Sequence, residues 1–314
     1  MQMMKAVVIR SYGGTETLAM DQVPVPPIAE DEVLIKVSAV GVNPIDWKVR
    51  AGLLKEMLNY NFPLILGWDV SGTVERAGSS VKKFKAGDEV YALADISRNG
   101  ACAEYITLKA DTVALKPALL DHVQAAAVPM GALTAWQALF DLADLHAGQR
   151  ILIHAAGGGV GTFAVQFAKW KGSYVLGTAS LRNRDFLLDL GADEVIDYMA
   201  APFEEAVHDV DVVLDSMGGE VQERSWKTIR RGGTLVSLLG PPDQDQAARA
   251  DVRGVGVFVK PDAEQLLSIG ELINQGRISP VVTEILPLGD VARAHEMSAT
   301  HHVRGKIVLE VSNT

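Results

Sequence analysis

Residues 154–161 read His-Ala-Ala-Gly-Gly-Gly-Val-Gly. Ile151-Leu152-Ile153 before them has the length and composition of a short buried strand, and Thr162 to Trp170 after them reads as a helix. A turn this bare of side chains works through its backbone. A ligand can approach it closely, and the following helix start offers N–H groups without intrahelical acceptors and the positive end of its dipole. That is an arrangement for holding a diphosphate. Ala156, Gly158 and Gly161 occupy the three small positions of a dinucleotide fingerprint, the first of them larger by one methyl.

The surroundings of the turn decide between a nucleotide site and a mere tight turn. From Arg150 onward strand and helix patterns alternate. Strands are expected at Arg150 to His154, Tyr174 to Thr178, Glu194 to Ile196, Val210 to Leu214, Thr234 to Leu238 and Val255 to Val259. Helices are expected between most of them, including Asn183 to Leu190 and Glu220 to Arg230. This alternation predicts a doubly wound parallel sheet. The first 121 residues differ. Lys5 to Arg10, Glu32 to Val40, Leu66 to Val74, Asp88 to Ala92 and Ala103 to Leu108 read as short strands separated by glycine turns, which predicts an antiparallel, barrel-like domain. Gln124 to Ala143 reads as a helix with Pro129 near its start. After Pro261, a helix at Ala263 to Asn274, a strand at Glu284 to Leu286, a helix at Asp290 to Ala299 and a strand at Lys306 to Val311 return to the texture of the first part. The fold class expected is α/β: a strand-rich domain of residues 1–121 plus 260–314, interrupted by a parallel-sheet domain of residues 122–259. The two are expected to pack with a cleft between them.

Composition narrows the function. The 314 residues carry a formal net charge of −10 and are 48% hydrophobic, which suits a globular protein and disfavours a nucleic-acid or membrane-surface partner. Cys102 is the only cysteine, leaving no internal disulfide and no cysteine-based zinc site. Met1 to Arg10 is too polar and short for a signal peptide, and no apolar run reaches membrane-spanning length, so the expected compartment is the cytoplasm.

The second strand says which dinucleotide. An NAD site places an acid about 20 residues beyond the turn, on the ribose hydroxyls. Here the chain reads Gly177-Thr178-Ala179-Ser180-Leu181-Arg182-Asn183-Arg184, with no acid. Hydroxyls and arginines suit a 2′-phosphate, so NADPH is the expected cofactor, with Thr178, Ser180 and Arg182 at its phosphate. The alternative for the arginines is a solvated start to the next helix. Tyr198, just after the third strand, either closes that pocket or is a surface tyrosine.

These residues, together with others along the chain, resemble the medium-chain dehydrogenase/reductase superfamily in its zinc-free quinone oxidoreductase, zeta-crystallin-like branch. The resemblance is carried by Gly41 to Gly52, Leu66 to Val74, Val81 to Val90, Gly131 to Trp136, Ala156 to Gly161, Leu190 to Asp193, Val195 to Tyr198 and Gly305 to Leu309. It implies a GroES-like catalytic domain made from both chain ends, a central Rossmann domain, and a homodimer paired through the last Rossmann strands near Val255 to Val259. It also makes two departures meaningful. Asn43 and Trp68 stand where the zinc branch has a cysteine and a histidine ligand, and the third ligand position falls near Gly131. No metal is expected.

Without a Lewis acid the acceptor must already be electrophilic, so the expected substrate is a small quinone or α,β-unsaturated carbonyl, with hydride delivered from the nicotinamide. Asn43, Lys48 and Trp68 are the candidate catalytic residues. Asn43 can bond an acceptor or the cofactor, or cap the turn before Pro44. Lys48 can stabilise developing negative charge, or be an exposed helix lysine. Trp68 can wall the pocket or simply fill the core. The candidate cofactor residues are Asn43, Thr134, Ala156, Gly158, Gly159, Val160, Gly161, Thr178, Ser180, Arg182 and Tyr198. Asp46 reads as a helix N-cap and His154 as a packed histidine. Two rival functions remain: a zinc-independent alcohol or enoyl reductase on the same fold, and an NADPH-binding sensor or structural protein with little turnover.

Overall fold

A computed structural model describes residues 2–311. The chain divides into two compact units. One runs up to Met130 and takes in Lys260–Gly276 and the stretch from Pro280 onward, and the other is Gly131–Val259 with Arg277–Ser279.

The first unit opens with β1 (Met3–Ile9), β2 (Ala19–Pro24), β3 (Glu32–Val42), α1 (Pro44–Arg50), β4 (Leu64–Ile65), β5 (Asp69–Ala77), β6 (Glu89–Leu93), β7 (Tyr105–Lys109), β8 (Val113–Leu115) and α2 (His122–Ala126). β2 was not expected as a strand. The segment before the prolines pairs antiparallel with β1, from Val8 against Ala19 to Met3 against Pro24. Pro24 is the last residue of the strand, opposite Met3, and Val25 donates back to Gln2, so Pro26 and Pro27 lie beyond the ladder.

The expected helix over Gln124 to Ala143 is three pieces. Asp121 caps α2 by accepting from the Gln124 amide at 2.7 Å, and Gln124 returns the bond at 3.2 Å. The residue before Pro129 is pushed out of helical geometry. α3 (Pro129–Trp136) then starts afresh and runs into a π-helical turn at Gln137–Leu142. α2 packs with the first unit, not with the domain expected to begin at residue 122. Its Ala126, with Ala127 just beyond it, joins Ala39 and Val308 in one buried cluster.

The second unit holds β9 (Arg150–Ile153), α4 (Gly161–Lys171), β10 (Tyr174–Ala179), α5 (Arg184–Leu190), β11 (Glu194–Asp197), α6 (Phe203–Ala206), β12 (Val210–Asp215), α7 (Gly219–Ser225), β13 (Ile229–Ser237), α8 (Gln244–Ala250) and β14 (Arg253–Gly256). Its six strands are all parallel, in the order β11-β10-β9-β12-β13-β14. That order reverses direction between β9 and β12, the topological switch point at which such sheets bind ligands. Ile151, Leu152 and Ile153 are fully buried because helices cover both faces. Leu152, Leu176, Val213 and Leu235 face Phe203, Trp226 and Ala247 in one core cluster. Every residue of α4 from Gly161 to Ala168 is buried, Phe163 and Phe167 completely. The helix expected to reach Arg230 stops at Ser225, because Trp226 and Ile229 enter that same core. The last strand lies at Arg253–Gly256, shifted toward the N-terminus from the expected Val255 to Val259.

The chain then re-enters the first unit with α9 (Ala263–Asn274), β15 (Val282–Pro287), α10 (Val291–Ala299) and β16 (Lys306–Glu310). β16 pairs antiparallel with β3, Ile307 opposite Val42, and β3 pairs on its other side with β5, Gly41 opposite Asp69. The resulting seven-stranded sheet runs β15-β16-β3-β5-β6-β8, with β7 on β3.

Candidate functional site

The glycine turn lies at the carboxyl edge of the parallel sheet. Ala155 adopts a left-handed φ of 48° and its carbonyl accepts from Gly158 at 2.9 Å, which closes the turn. A Cβ on Gly161 would stand 2.4 Å from the Ala155 oxygen and 2.7 Å from the Ala156 Cα, so the helix can start here only with glycine. Ala156 is buried beneath Gly177, whose own Cβ would meet it at 2.8 Å. Gly158 is different: among the described residues its Cβ would meet within 4 Å only the Ala155 oxygen, at 3.3 Å. The packing does not need this glycine, and its open face is a cradle that a side chain would fill. The Val160 and Gly161 amides stand at the N-cap and first residue of α4, where no intrahelical acceptor exists, and Gly159 directly precedes them. The residues therefore fit a diphosphate.

Neighbouring strand ends bring the other expected residues to the same edge. Ile153 is opposite Gly177, and Ala179 is opposite Asp197. Ser180, Arg182 and Tyr198 thus leave adjacent strands beside the turn. Arg182 is exposed, Ser180 is half-buried, and Tyr198 is 50% exposed. Gly131 packs on the Gly159 oxygen and the Phe163 ring, so α3 runs alongside the turn, with Thr134 one helical turn further on. Thr178 departs from expectation. Its hydroxyl lies 3.1 Å from His154 Nδ1 and the residue is 4% exposed, so it points into the core rather than toward a ligand.

On the other side of the switch point, sequence reasoning missed the turn after β12. Asp215, fully buried, accepts from the Met217 and Gly218 amides, both at 2.9 Å, and from Gln222 Nε2 at 2.7 Å. Met217, Leu239 and Phe258 follow the ends of β12, β13 and β14 and are 50%, 54% and 63% exposed. That apolar row suits a flat ring.

In the first unit two of the three expected catalytic residues, Asn43 and Trp68, are engaged in buried hydrogen bonds. Asn43 Nδ2 donates to Asp69 Oδ2 at 2.8 Å, and its Oδ1 accepts from Lys306 Nζ. The orientation of the amide follows from charge: the ammonium can only donate and the carboxylate can only accept. Lys306 also reaches Asp69 Oδ2 at 2.9 Å, and the Met130 amide donates to Asp69 Oδ1 at 2.6 Å. Asn43 is thus tied into a buried ion pair through both ends of its amide. Trp68 is fully buried, its indole donating to the Arg98 carbonyl at 3.1 Å and its ring stacked with Tyr60. It is core rather than an exposed pocket wall. Lys48 is half-buried, with its ammonium 5.7 Å from the Trp47 ring centroid.

Asp46 is the third residue of α1 and not its N-cap, a position Asn43 holds. Its Oδ2 accepts from the Asn43 amide at 2.6 Å, while buried Oδ1 has no hydrogen-bond partner among the described residues. Burial pushes this carboxyl up to about 7, although the nearby Lys306 ammonium pulls against it. Cys102 is buried and its thiol is pushed up by desolvation, which leaves it unreactive.

The comparisons with known proteins follow this division. An alcohol dehydrogenase GroES-like domain model matches residues 29–118, and a zinc-binding dehydrogenase model matches residues 190–309. The chain is 34% identical to the mitochondrial NAD(P)H oxidoreductase RTN4IP1 of Danio rerio, over 98% of this chain and 91% of that protein. It is 36% identical to the chloroplastic NADPH-dependent alkenal/one oxidoreductase of Arabidopsis thaliana, over 98% of this chain and 79% of that one. The quinone oxidoreductase structure from Coxiella burnetii superimposes with a TM-score of 0.93 at 36% identity, covering 99% of this chain and all of the other. The chain belongs to the medium-chain dehydrogenase/reductase superfamily, in its quinone oxidoreductase branch. It is an oxidoreductase by that descent. Among the described residues no helix is long and apolar enough to cross a membrane, and the named relatives are mitochondrial or chloroplastic.

One rival constellation can be set aside in this oxidoreductase. Ser71 Oγ lies 2.8 Å from His122 Nδ1, and His122 Nε2 lies 3.3 Å from Glu89 Oε1, in the manner of a hydrolytic triad. Ser71 is fully buried on β5 and also bonded to the Val90 carbonyl, so no acyl group can reach it.

Proposed function

We propose that this protein is an NADPH-dependent, metal-free reductase of quinones or α,β-unsaturated carbonyl compounds. The observation that carries the reading is the cradle at Gly158, open where Gly161 and Ala156 are tightly packed, beside a second-strand end that bears Ser180 and Arg182 and no acid. The bound nicotinamide would supply the hydride. Gly158, Gly159, Val160 and Gly161 hold the diphosphate by backbone and helix dipole. Ser180 and Arg182 hold the 2′-phosphate, Tyr198 covers it, and Thr134 stands near the nicotinamide end. Arg182 is the group that separates NADPH from NADH.

The acceptor must accept hydride without a Lewis acid. At the two positions that resemble metal-ligand sites stand an amide tied to an ion pair and a buried indole, which supports the metal-free reading. Lys48 is the side chain we assign to the developing oxyanion. A homodimer through the outer edge of β14, an end strand of its sheet, completes the proposal.

The test is NADPH oxidation followed at 340 nm against a panel of quinones, enones and enals, with NADH in parallel. Turnover with such acceptors and a preference for NADPH are expected. Absence of turnover with every acceptor would leave the sensor or structural role instead. Light scattering reads the dimer.

A further inference from the structure

His154 is the first residue after β9 and opens the glycine turn, yet it is 2% exposed and cannot touch a ligand. Its amide donates to the Leu214 carbonyl at 3.0 Å, and its carbonyl accepts from Ser216 Oγ at 3.0 Å, which ties the turn to the end of β12. Its ring lies edge-on to Phe203, 4.7 Å between centroids. Nε2 is 2.9 Å from Ser225 Oγ on α7, and Nδ1 is 3.1 Å from Thr178 Oγ1 on β10.

The proton positions follow from counting. Ser225 has one hydroxyl hydrogen and donates it to the Val221 carbonyl at 2.6 Å. Ser225 must therefore accept from the ring, so Nε2 carries the hydrogen. Nδ1 is then bare and accepts the Thr178 hydroxyl hydrogen. Burial lowers the imidazole to about 4, which keeps it neutral near pH 7 and preserves this pattern. The Thr178 carbonyl in turn accepts from the Ala156 amide at 3.1 Å. Thr178 is thus bound twice to the segment that begins the turn, once through His154 and once through Ala156. Two residues further along lies Ser180, and four along lies Arg182.

We propose that His154 is a positioning residue for cofactor choice: through Thr178 it fixes the end of β10, and with it Ser180 and Arg182, at a set distance from the glycine turn, so that a 2′-phosphate and a diphosphate are held together. This rests on the NADPH reading. It assigns Thr178 an indirect part in a site where its hydroxyl cannot reach the ligand.

The experiment measures binding of NADPH and NADH to wild type and to His154→Leu, His154→Gln, Thr178→Val and Thr178→Ser, with thermal unfolding in parallel. Thr178→Val keeps shape and burial, so it carries the test should His154→Leu fail to fold. Loss of the Thr178 bond is expected to weaken NADPH about tenfold and NADH less than about threefold. Thr178→Ser and His154→Gln, which keep a donor and an acceptor, should recover most of the loss. His154→Leu combined with Thr178→Val should cost no more than the worse single change. Equal weakening of both dinucleotides, or no weakening, overturns the positioning role while wild type still prefers NADPH. A wild type that prefers NADH overturns the cofactor reading and this inference with it.

Discussion

Lys306 and Asp69 stand 237 positions apart in the chain and 2.9 Å apart in the fold, with side chains 3% and 0% exposed. The pair is formed because β16 and β5 flank β3 on opposite sides, so that the start of one and the start of the other meet beside Asn43. A buried ion pair is close to neutral as a whole and costly when halved, because the remaining charge loses its partner without regaining water.

Lys306→Met should therefore destabilise the protein by about 3–5 kcal/mol. Adding Asp69→Leu should restore part of that loss, since the orphaned carboxylate is then gone. Urea unfolding midpoints of the single and double variants provide the comparison. A double variant less stable than Lys306→Met would contradict the account.

The two glycines of the turn should separate folding from binding. Gly161→Ala forces a methyl against the Ala155 carbonyl at 2.4 Å and should cost stability, of the order of 1–3 kcal/mol, as overpacking does. Gly158→Ala meets one atom, at 3.3 Å, and should leave the unfolding temperature nearly unchanged. Its methyl stands in the diphosphate cradle, so dinucleotide binding should weaken by more than about tenfold. Calorimetric binding and thermal unfolding on both variants check this.

Arg182→Ala should raise the dissociation constant for NADPH by about tenfold and leave that for NADH within about twofold, because only the 2′-phosphate gains a charge-assisted bond. The NADPH effect should shrink at high salt, as befits an exposed residue. Equal effects on both cofactors would remove Arg182 from the phosphate site.

Stability should depend on pH through three buried groups. His154 and His295 are lowered by burial to about 4 and about 3 from 6.5, so their contributions are present above about 6.5 and fade as pH falls toward those values. Asp46 is raised by burial to about 7 from 3.8, so its contribution is present below about 3.8 and is lost as pH rises through about 7. Between about 4 and 6.5 two groups favour higher pH and one opposes them, so the unfolding temperature should rise with pH. Asp46→Asn, which keeps an acceptor for the Asn43 amide, should make that rise steeper. A flatter profile in the variant would refute the assignment of Asp46.

Features that depend on local pattern are legible in the chain. Ile151 to Gly161 shows its strand, its bare turn and its helix to anyone counting side chains, and the missing acid after β10 is visible in Thr178 to Arg184. Strand and helix alternation was enough for the parallel sheet. Helix breaks were harder, since Pro129 is also welcome at a helix start and only the packing of Ala126 on Val308 shows where α2 belongs. Tertiary structure alone decided which polar groups are used up. Asn43 and Trp68 look like pocket residues in a linear reading. Lys306, which claims the Asn43 amide, is 263 residues away, and the carbonyl that takes the Trp68 indole is on Arg98. Thr178 looks like a ligand hydroxyl until His154 is found beneath it. Local periodicity encodes which element a residue joins. The partner of a buried hydrogen-bonding group is set by which strands the sheet brings side by side, and that information lies in no single stretch of chain.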